Sequence, residues 1–205
     1  MAEEGSAFRS LGGAAGVWQR SLLIALTAIG ALYLLDLHLL LGLVLLREQY
    51  LALILALTLG AAFLSIPTKR SSDGAPWYDW LLSFLGLIVG FYLLLFYPDL
   101  IYTLGELRFE RMLLGVIALL LVTEATRRLM GWVMVALIGL LLLYARYADL
   151  VPGLLRSKGI SWERLFTSLY ISNDALLGTP LNVVGTVVVA FILFGRALYV
   201  VRGDR

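Results

Sequence analysis

The residues best placed to do chemistry in this chain are Glu124, Arg127 and Arg128. The arginines follow the glutamate by three and four residues, so on a helix both guanidinium groups lie within reach of its carboxylate. Such pairing lowers the cost of holding charge at a membrane edge. Two interpretations stay open. The three residues contact a partner subunit or an anionic lipid, or they mark a helix end at the membrane surface, which is the commoner arrangement.

A second ionisable pair, Asp36 and His38, adjoins apolar sequence. Acids and histidines inside membranes often mark proton paths. However, residues two apart face different sides of a helix, and no second acid in the apolar segments continues a path. We interpret this pair as a helix end at the level of the lipid headgroups.

Small and polar residues at helical spacing form a third group. Asn182 and Thr186 are four residues apart beside Gly185, and Gly86 and Gly90 repeat the same spacing. Glycine lets membrane helices approach closely, and a polar side chain bonds across the contact. We therefore expect helix packing at both places. A polar cavity near Asn182 is the alternative.

Most catalytic chemistries find no support in the sequence. It has no cysteine and one histidine, which excludes disulfides, thiolate metal sites and a bis-histidine haem. It also lacks a phosphate-binding loop, a nucleophile paired with a base, and a carboxylate cluster for a metal. We predict no catalytic residue, no cofactor, no metal and no enzymatic activity. The net charge of +2 gives no argument for a nucleic-acid partner.

The segments that carry these residues are long and apolar. The chain is 61% hydrophobic and 15% charged, with a mean hydropathy of +0.92. Residues 175–195 include no charge, and at about 1.5 Å per residue they cross a hydrocarbon core of roughly 30 Å. Other charge-free segments are residues 21–35, 49–68, 80–98 and 129–145. Continuous apolar segments predict helices, because barrel strands alternate apolar and polar residues.

We therefore predict an all-α, polytopic transmembrane helical bundle with about six membrane-spanning helices plus interfacial helices. The first helix begins near Trp18, the second spans residues 50–66, and the third spans residues 77–97 and ends at Pro98. The tryptophans Trp77 and Trp80 are expected to anchor the third helix at the headgroups.

The segment from residue 112 to residue 145 is too long for one crossing, because it would measure about 51 Å as a single helix. We favour a hairpin that turns within residues 127–131, and one long rod is the alternative. Residues 160–171 place Trp162, Leu165, Phe166 and Leu169 on one face, which is typical of an amphipathic helix at the interface.

Several motifs follow one another in a recognisable order. They are residues 76–82 (PWYDWLL), 124–128 (EATRR) with Gly131 and Trp132, 159–165 (GISWERL), 169–170 (LY), 177–181 (LGTPL) and 191–195 (FILFG). This order resembles the N-terminal third of fused permeases of TRAP transporters (tripartite ATP-independent periplasmic transporters), in the branch with TAXI-type solute receptors. The resemblance spans residues 18–195.

The resemblance implies a domain organisation. Residues 1–17 would be a cytoplasmic tail, and residues 18–128 would match the family's small four-helix membrane domain, which braces a large transport domain. Residues 129–205 would supply a connector helix, the amphipathic interfacial helix and a final transmembrane helix. The chain would then end where the transport domain begins, without the broken helices that hold substrate and sodium.

The function that the resemblance implies is that of a non-catalytic subunit in the bacterial inner membrane, with its N-terminus in the cytoplasm. Its partners would be a larger integral membrane subunit, membrane lipids and, through the larger subunit, a periplasmic solute-binding protein. Alternatively, the chain is a TRAP-derived scaffold in another bacterial assembly, energy-transducing or photosynthetic, as the charged final helix suggests. The expected partner or lipid interface comprises Glu124, Arg127, Arg128, Trp77, Trp80, Asn182, Thr186 and Arg196.

Overall fold

The computed structural model describes residues 11–40, 42, 44–67, 75–103, 108–152 and 156–202. Residues 1–10 of the predicted tail lie outside the described residues, and so does the loop segment 68–74, which contains Lys69 and Arg70. Throughout the described ranges the regular structure is helical. The helices are α1 (Gly13–Leu34), α2 (Leu37–Leu40), α3 (Arg47–Ser65), α4 (Trp77–Tyr102), α5 (Phe109–Met130), α6 (Trp132–Tyr147), α7 (Trp162–Ile171), α8 (Thr179–Val183), a π-helical segment (Val184–Val188) and α9 (Val189–Arg202).

Four helical segments are long and apolar enough to cross a membrane. They are α1, α3, α4 and the residues Thr179–Val200. The last of these belongs to one continuous helix, residues 179–202, which we call the final rod. The predicted all-α class with apolar helices is thus confirmed. The number of helices that meet the length and hydropathy of a span is four in the described residues, where about six spans were expected. The difference lies in the hairpin: α6 has only 16 residues, and α5 carries charged residues in its first and last turns.

Helix α3 is the centre of the bundle and packs most extensively against α4. A side-chain carbon added at Gly90 would overlap Ala56, and one added at Gly86 would lie 2.9 Å from the Cβ of Leu59. The expected close packing at these two glycines is therefore confirmed. The largest side chains buried around this contact are Tyr50, Leu51, Ile54, Phe63, Leu64, Val89 and Leu93.

The bundle has two ends, which we name after Trp80 and Tyr97. At the Trp80 end, Gln19 Nε2 donates to Ser65 Oγ at 2.9 Å, and the rings of Trp18 and Trp80 lie 6.4 Å apart. The starts of α1 and α4 therefore meet the end of α3. At the Tyr97 end, Asn173 accepts a hydrogen bond from Tyr97.

The expected hairpin is present. Gly131 has a φ of +83°, a conformation that residues with a side chain rarely adopt, and it separates α5 from α6. The helix continues through Met130, so the turn lies at the last residue of the predicted turn region. Helix α6 then runs back towards the Tyr97 end. There the Ile160 N–H donates to the Ala145 carbonyl at 3.2 Å, just before Trp162 begins α7.

Helix α4 does not stop at Pro98, which corrects the predicted end. Proline lacks the N–H that would bond to the Leu94 carbonyl, four residues earlier, and this loss normally breaks a helix. Here Gln49 Nε2 donates to that carbonyl at 2.8 Å. Since a side chain of α3 replaces the missing bond, α4 continues to Tyr102.

Helix α7 packs into the bundle through a wider face than the one predicted. Of the predicted face, Leu165 is buried, Phe166 and Leu169 are half-buried and Trp162 is exposed. Thr167 and Tyr170, which the prediction left out, are buried as well. The Tyr170 hydroxyl donates to the Val89 carbonyl, in the middle of α4, at 2.7 Å. Burial raises the pKa of the Tyr170 phenol well above its ordinary value of 10.0, so the hydroxyl remains a neutral donor.

Candidate functional site

The last two turns of α5 hold the site that the sequence predicts. Arg127 donates from Nε and from Nη2 to the two carboxylate oxygens of Glu124, at 2.7 Å each. Arg128 donates from Nε to the same carboxylate at 2.9 Å. The structure thus brings the three residues together on one face of the helix, as their spacing requires.

Arg128 links this face to two other helices. Its Nη1 lies 2.9 Å from Asp79 Oδ1, in the first turn of α4. The same nitrogen donates to the carbonyls of Phe63 and Ile66, at 3.3 and 3.0 Å, at the end of α3. The guanidinium carbon also lies 5.1 Å from the centre of the Phe63 ring. We call Asp79, Glu124, Arg127 and Arg128 the Arg128 cluster.

The contact with α3 satisfies carbonyls that a helix end leaves free. The Phe63 carbonyl would ordinarily bond to the N–H four residues later, but that residue is Pro67, which has none. Arg128 supplies the missing donor from another helix. A single guanidinium therefore caps α3, pairs with α4 and orders the last turns of α5.

Burial divides the cluster into an inner and an outer pair. The side chains of Asp79 and Arg128 are 0% and 2% exposed, whereas those of Glu124 and Arg127 are 26% and 25% exposed. Two carboxylates balance two guanidiniums, so the buried charge is paired as the low dielectric requires. Chemically, this arrangement is suited to holding helices together.

Sequence reasoning missed Asp79. The residue stands between aromatic anchors, and its partner lies 49 positions later, so helical spacing gives no sign of the pair. The available signal was a lone carboxylate in the first turn of a strongly apolar helix. Burial of such a group demands a cation from another element.

The predicted aromatic anchors lie around the cluster. Trp77 is exposed, and Trp80 packs against Trp18 and Phe84. The Arg127 guanidinium lies 5.5 Å from the centre of the Trp132 ring. The Trp80 end thus collects tryptophan side chains from α1, α4 and α6, as expected where a protein meets the headgroup region.

The other predicted interface residues lie away from the cluster. Asn182 Oδ1 accepts from Arg47 Nε at 2.9 Å, which fixes α8 to the start of α3. Thr186 Oγ1 donates to the Asn182 carbonyl at 2.7 Å, within its own helix. Arg196 is exposed on α9. The structure therefore does not bring Asn182, Thr186 or Arg196 to the Arg128 cluster.

Asp36 and His38 also lie at the Tyr97 end. Asp36 is exposed in a turn with a φ of +55°, which agrees with a helix end there. His38 is buried and stacks on Tyr33 at 5.0 Å. Tyr33 in turn stacks on Tyr50 at 3.7 Å, so the histidine completes an aromatic column beside α3.

Within the described part of the chain, no group of three or more His, Cys, Asp or Glu side chains is placed to hold a metal ion. The sequence matches no protein-family model, no curated protein and no solved structure.

Proposed function

We propose that this chain is a non-catalytic integral membrane subunit that braces a larger membrane partner, like the small permease part of a TRAP-type organic-acid transporter. The observation that carries the proposal is the exposure of the final rod. From residue 191 to residue 200, every side chain except Leu193 is exposed.

The two halves of the final rod differ in their contacts. The first half is held by its own chain: Tyr50 donates to the Gly185 carbonyl at 2.5 Å, and Val189 lies against Gly30. The second half leaves the bundle, and around Gly195 the space is open. Membrane helices associate by close packing at small residues. The second half of the final rod does not pack against its own chain, so it is suited to pack against a second protein.

Arg196 supports a protein partner for the final rod, whichever complex that partner belongs to. It lies within the apolar segment that ends at Val200 and is exposed. Charged residues within spans usually pair with a partner group or face a bundle interior. A polar or acidic group on the partner subunit would provide that pairing.

The Arg128 cluster supports bracing over solute binding. Its carboxylates and guanidiniums bind one another and the end of α3. A buried site for an organic acid needs a buried cation directed at the solute, and here the buried arginine, Arg128, already pairs with Asp79 and Glu124. The cluster links α3, α4 and α5 at the Trp80 end, and a brace requires such links between its helices.

We further propose that the α5–α6 hairpin also crosses the bilayer, which gives six crossings in the bacterial inner membrane. The Trp80 end would be cytoplasmic, because Arg127 and Arg128 lie there and basic residues accumulate on the inner side. The N-terminus would then be cytoplasmic as well.

Purification of the tagged chain in a mild detergent, with identification of the proteins that accompany it, tests the proposal. We expect a large permease subunit and, when solute is present, a periplasmic receptor. The double variant Phe191→Ala/Phe194→Ala should lose the partner. The matched double variant Ile88→Ala/Leu95→Ala, on the exposed face of α4, should keep it.

The identity of the partner decides between two classes of brace. If the partners are subunits of a different membrane complex, the chain acts as a scaffold in that complex. Arg196 in the final rod favours this alternative. A folded, monomeric chain that purifies alone would contradict both. So would solute uptake by vesicles that contain only this chain.

A further inference from the structure

Two apolar cavities flank the α5–α6 hairpin. The first, of about 440 Å³, lies between α4, α5 and the start of α6, and Leu82, Leu85 and Ile117 line its interior. The second, of about 370 Å³, lies between α5, α6 and α7. Leu120, Thr123 and Val135 line both. We call the first the hairpin cavity.

The hairpin cavity is a groove that opens to the surface of the bundle. Left empty, it would forfeit contacts of the side chains along it, and an apolar occupant restores them. Water does not fill apolar cavities, because it finds no hydrogen-bond partners there. Helix α6 has no buried residue, so in the membrane crossing proposed above it faces lipid, and the inference rests on that crossing. The acyl chain of a lipid is the apolar group at hand.

One end of the hairpin cavity carries a cation beside its paired carboxylate. Arg127, Glu124 and Trp132 line it at the Trp80 end, and the guanidinium lies over the indole. Glu124 accepts two N–H groups of Arg127, and a guanidinium has five. Donors therefore remain, and their fork geometry matches a phosphate.

The Glu124 carboxylate keeps its negative charge and so weakens the attraction of this end for an anion. Its oxygens accept N–H groups from Arg127 and Arg128, and they occupy only some of the donors of Arg127. An anion beside Arg127 would thus meet the arginine's unused donors. An apolar interior that ends in a cation and an indole is complementary to a phospholipid.

We propose that the hairpin cavity binds one phospholipid, with its phosphate on Arg127 and an acyl chain along Leu82 and Leu85. The lipid comes from the leaflet at the Trp80 end. It fills the space between α4 and the hairpin, so it is an integral part of the fold and exchanges more slowly than the lipids around the protein. This inference does not depend on the proposed partner.

Native mass spectrometry of the delipidated full chain, titrated with phosphatidylglycerol, tests the inference. We expect the wild-type protein to retain one lipid under activation that strips all others. Leu120→Trp places a ring in the cavity and should raise the apparent dissociation constant of the lipid in the titration about tenfold, which corresponds to about 1.4 kcal/mol. Leu137→Trp is the matched control, because this exposed α6 residue lines neither cavity.

The headgroup contact has its own variants. Arg127→Gln removes the charge and the fork, and Arg127→Lys keeps only the charge, so lipid retention should fall in the order wild type, Lys, Gln. Equal retention in Leu120→Trp and Leu137→Trp would overturn the acyl-chain assignment, even if inorganic phosphate bound at Arg127. Retention that is unchanged in both Arg127 variants would overturn the phosphate contact.

Discussion

Arg128 near the end of α5 and Asp79 in the first turn of α4 form a buried ion pair, with 2.9 Å between Nη1 and Oδ1. The two residues are far apart in the sequence, and each lies in a helix whose other charged groups are near its ends. The pair joins α4 and α5 at the same point where Arg128 caps α3. Three helices therefore depend on one side chain.

Removal of one partner should destabilise the bundle strongly. Asp79→Leu leaves the buried Arg128 with Glu124 as its remaining counterion, and that carboxylate is shared with Arg127 and partly exposed. The loss should approach the cost of breaking a buried pair, about 3–5 kcal/mol. Thermal or denaturant unfolding in detergent measures the effect. Arg127→Gln serves as the control and should cost less, because that side chain is one quarter exposed.

A double variant separates charge from shape at this position. Asp79→Leu combined with Arg128→Met removes both charges and should recover part of the lost stability. An Asp79→Leu protein as stable as the wild type would show that the pair does not hold the Trp80 end together.

Gly90 should tolerate no side chain. Its added carbon would overlap Ala56 of α3, so Gly90→Ala should push α3 and α4 apart and lower the free energy of unfolding by about 1–3 kcal/mol. Gly139 has open space around it, and Gly139→Ala should raise stability by up to about 1 kcal/mol through helix propensity. Equal effects of the two substitutions would contradict the packing of α3 on α4.

Gln49 and Pro98 should be energetically coupled. Gln49→Leu leaves the Leu94 carbonyl without a donor and should cost about 1–3 kcal/mol. In a Pro98→Ala background the residue at position 98 has an N–H that can bond to Leu94, so the same substitution should cost less. A double-mutant cycle isolates this coupling, because the hydrogen bond that the Leu46 N–H donates to Gln49 Oε1 is lost in both backgrounds and cancels. A coupling energy of zero would show that Gln49 does not replace the missing bond.

The six-crossing orientation predicts which residues an impermeant reagent can reach. Because the sequence has no cysteine, a single introduced cysteine is the only thiol of the protein that the reagent can label. Met130 and Leu150 are exposed at opposite ends of α6. On intact cells a membrane-impermeant maleimide should label Leu150→Cys, and it should label Met130→Cys only after permeabilisation. Labelling of both from one side would mean that α6 does not cross, and the reverse pattern would invert the orientation.

Local chemistry made much of the bundle predictable. Long charge-free segments indicated the helices, Gly131 marked the turn after α5, and the spacing of Glu124, Arg127 and Arg128 indicated their pairing. Each of these features depends on residues within a few positions of one another, where helical geometry fixes the relationship.

Features that depend on distant residues were not predictable. Nothing near Asp79 identifies Arg128 as its partner, and nothing near Pro98 reveals that Gln49 will replace the lost hydrogen bond. The burial of Tyr170 on α7 likewise depends on where Val89 lies in the folded bundle. The resemblance to TRAP permeases and the role as a brace remain predictions, which the partner experiment addresses.

The clustering of indoles around the Arg128 cluster makes the protein's intrinsic fluorescence one-sided. Four of the five tryptophans lie at the Trp80 end, and Trp162, at the start of α7, lies at the Tyr97 end. Iodide should therefore quench the tryptophan fluorescence of sealed proteoliposomes mainly when it is added on the side of the membrane that carries Trp18, Trp77, Trp80 and Trp132. The molecule carries a built-in optical reporter of which way it was inserted.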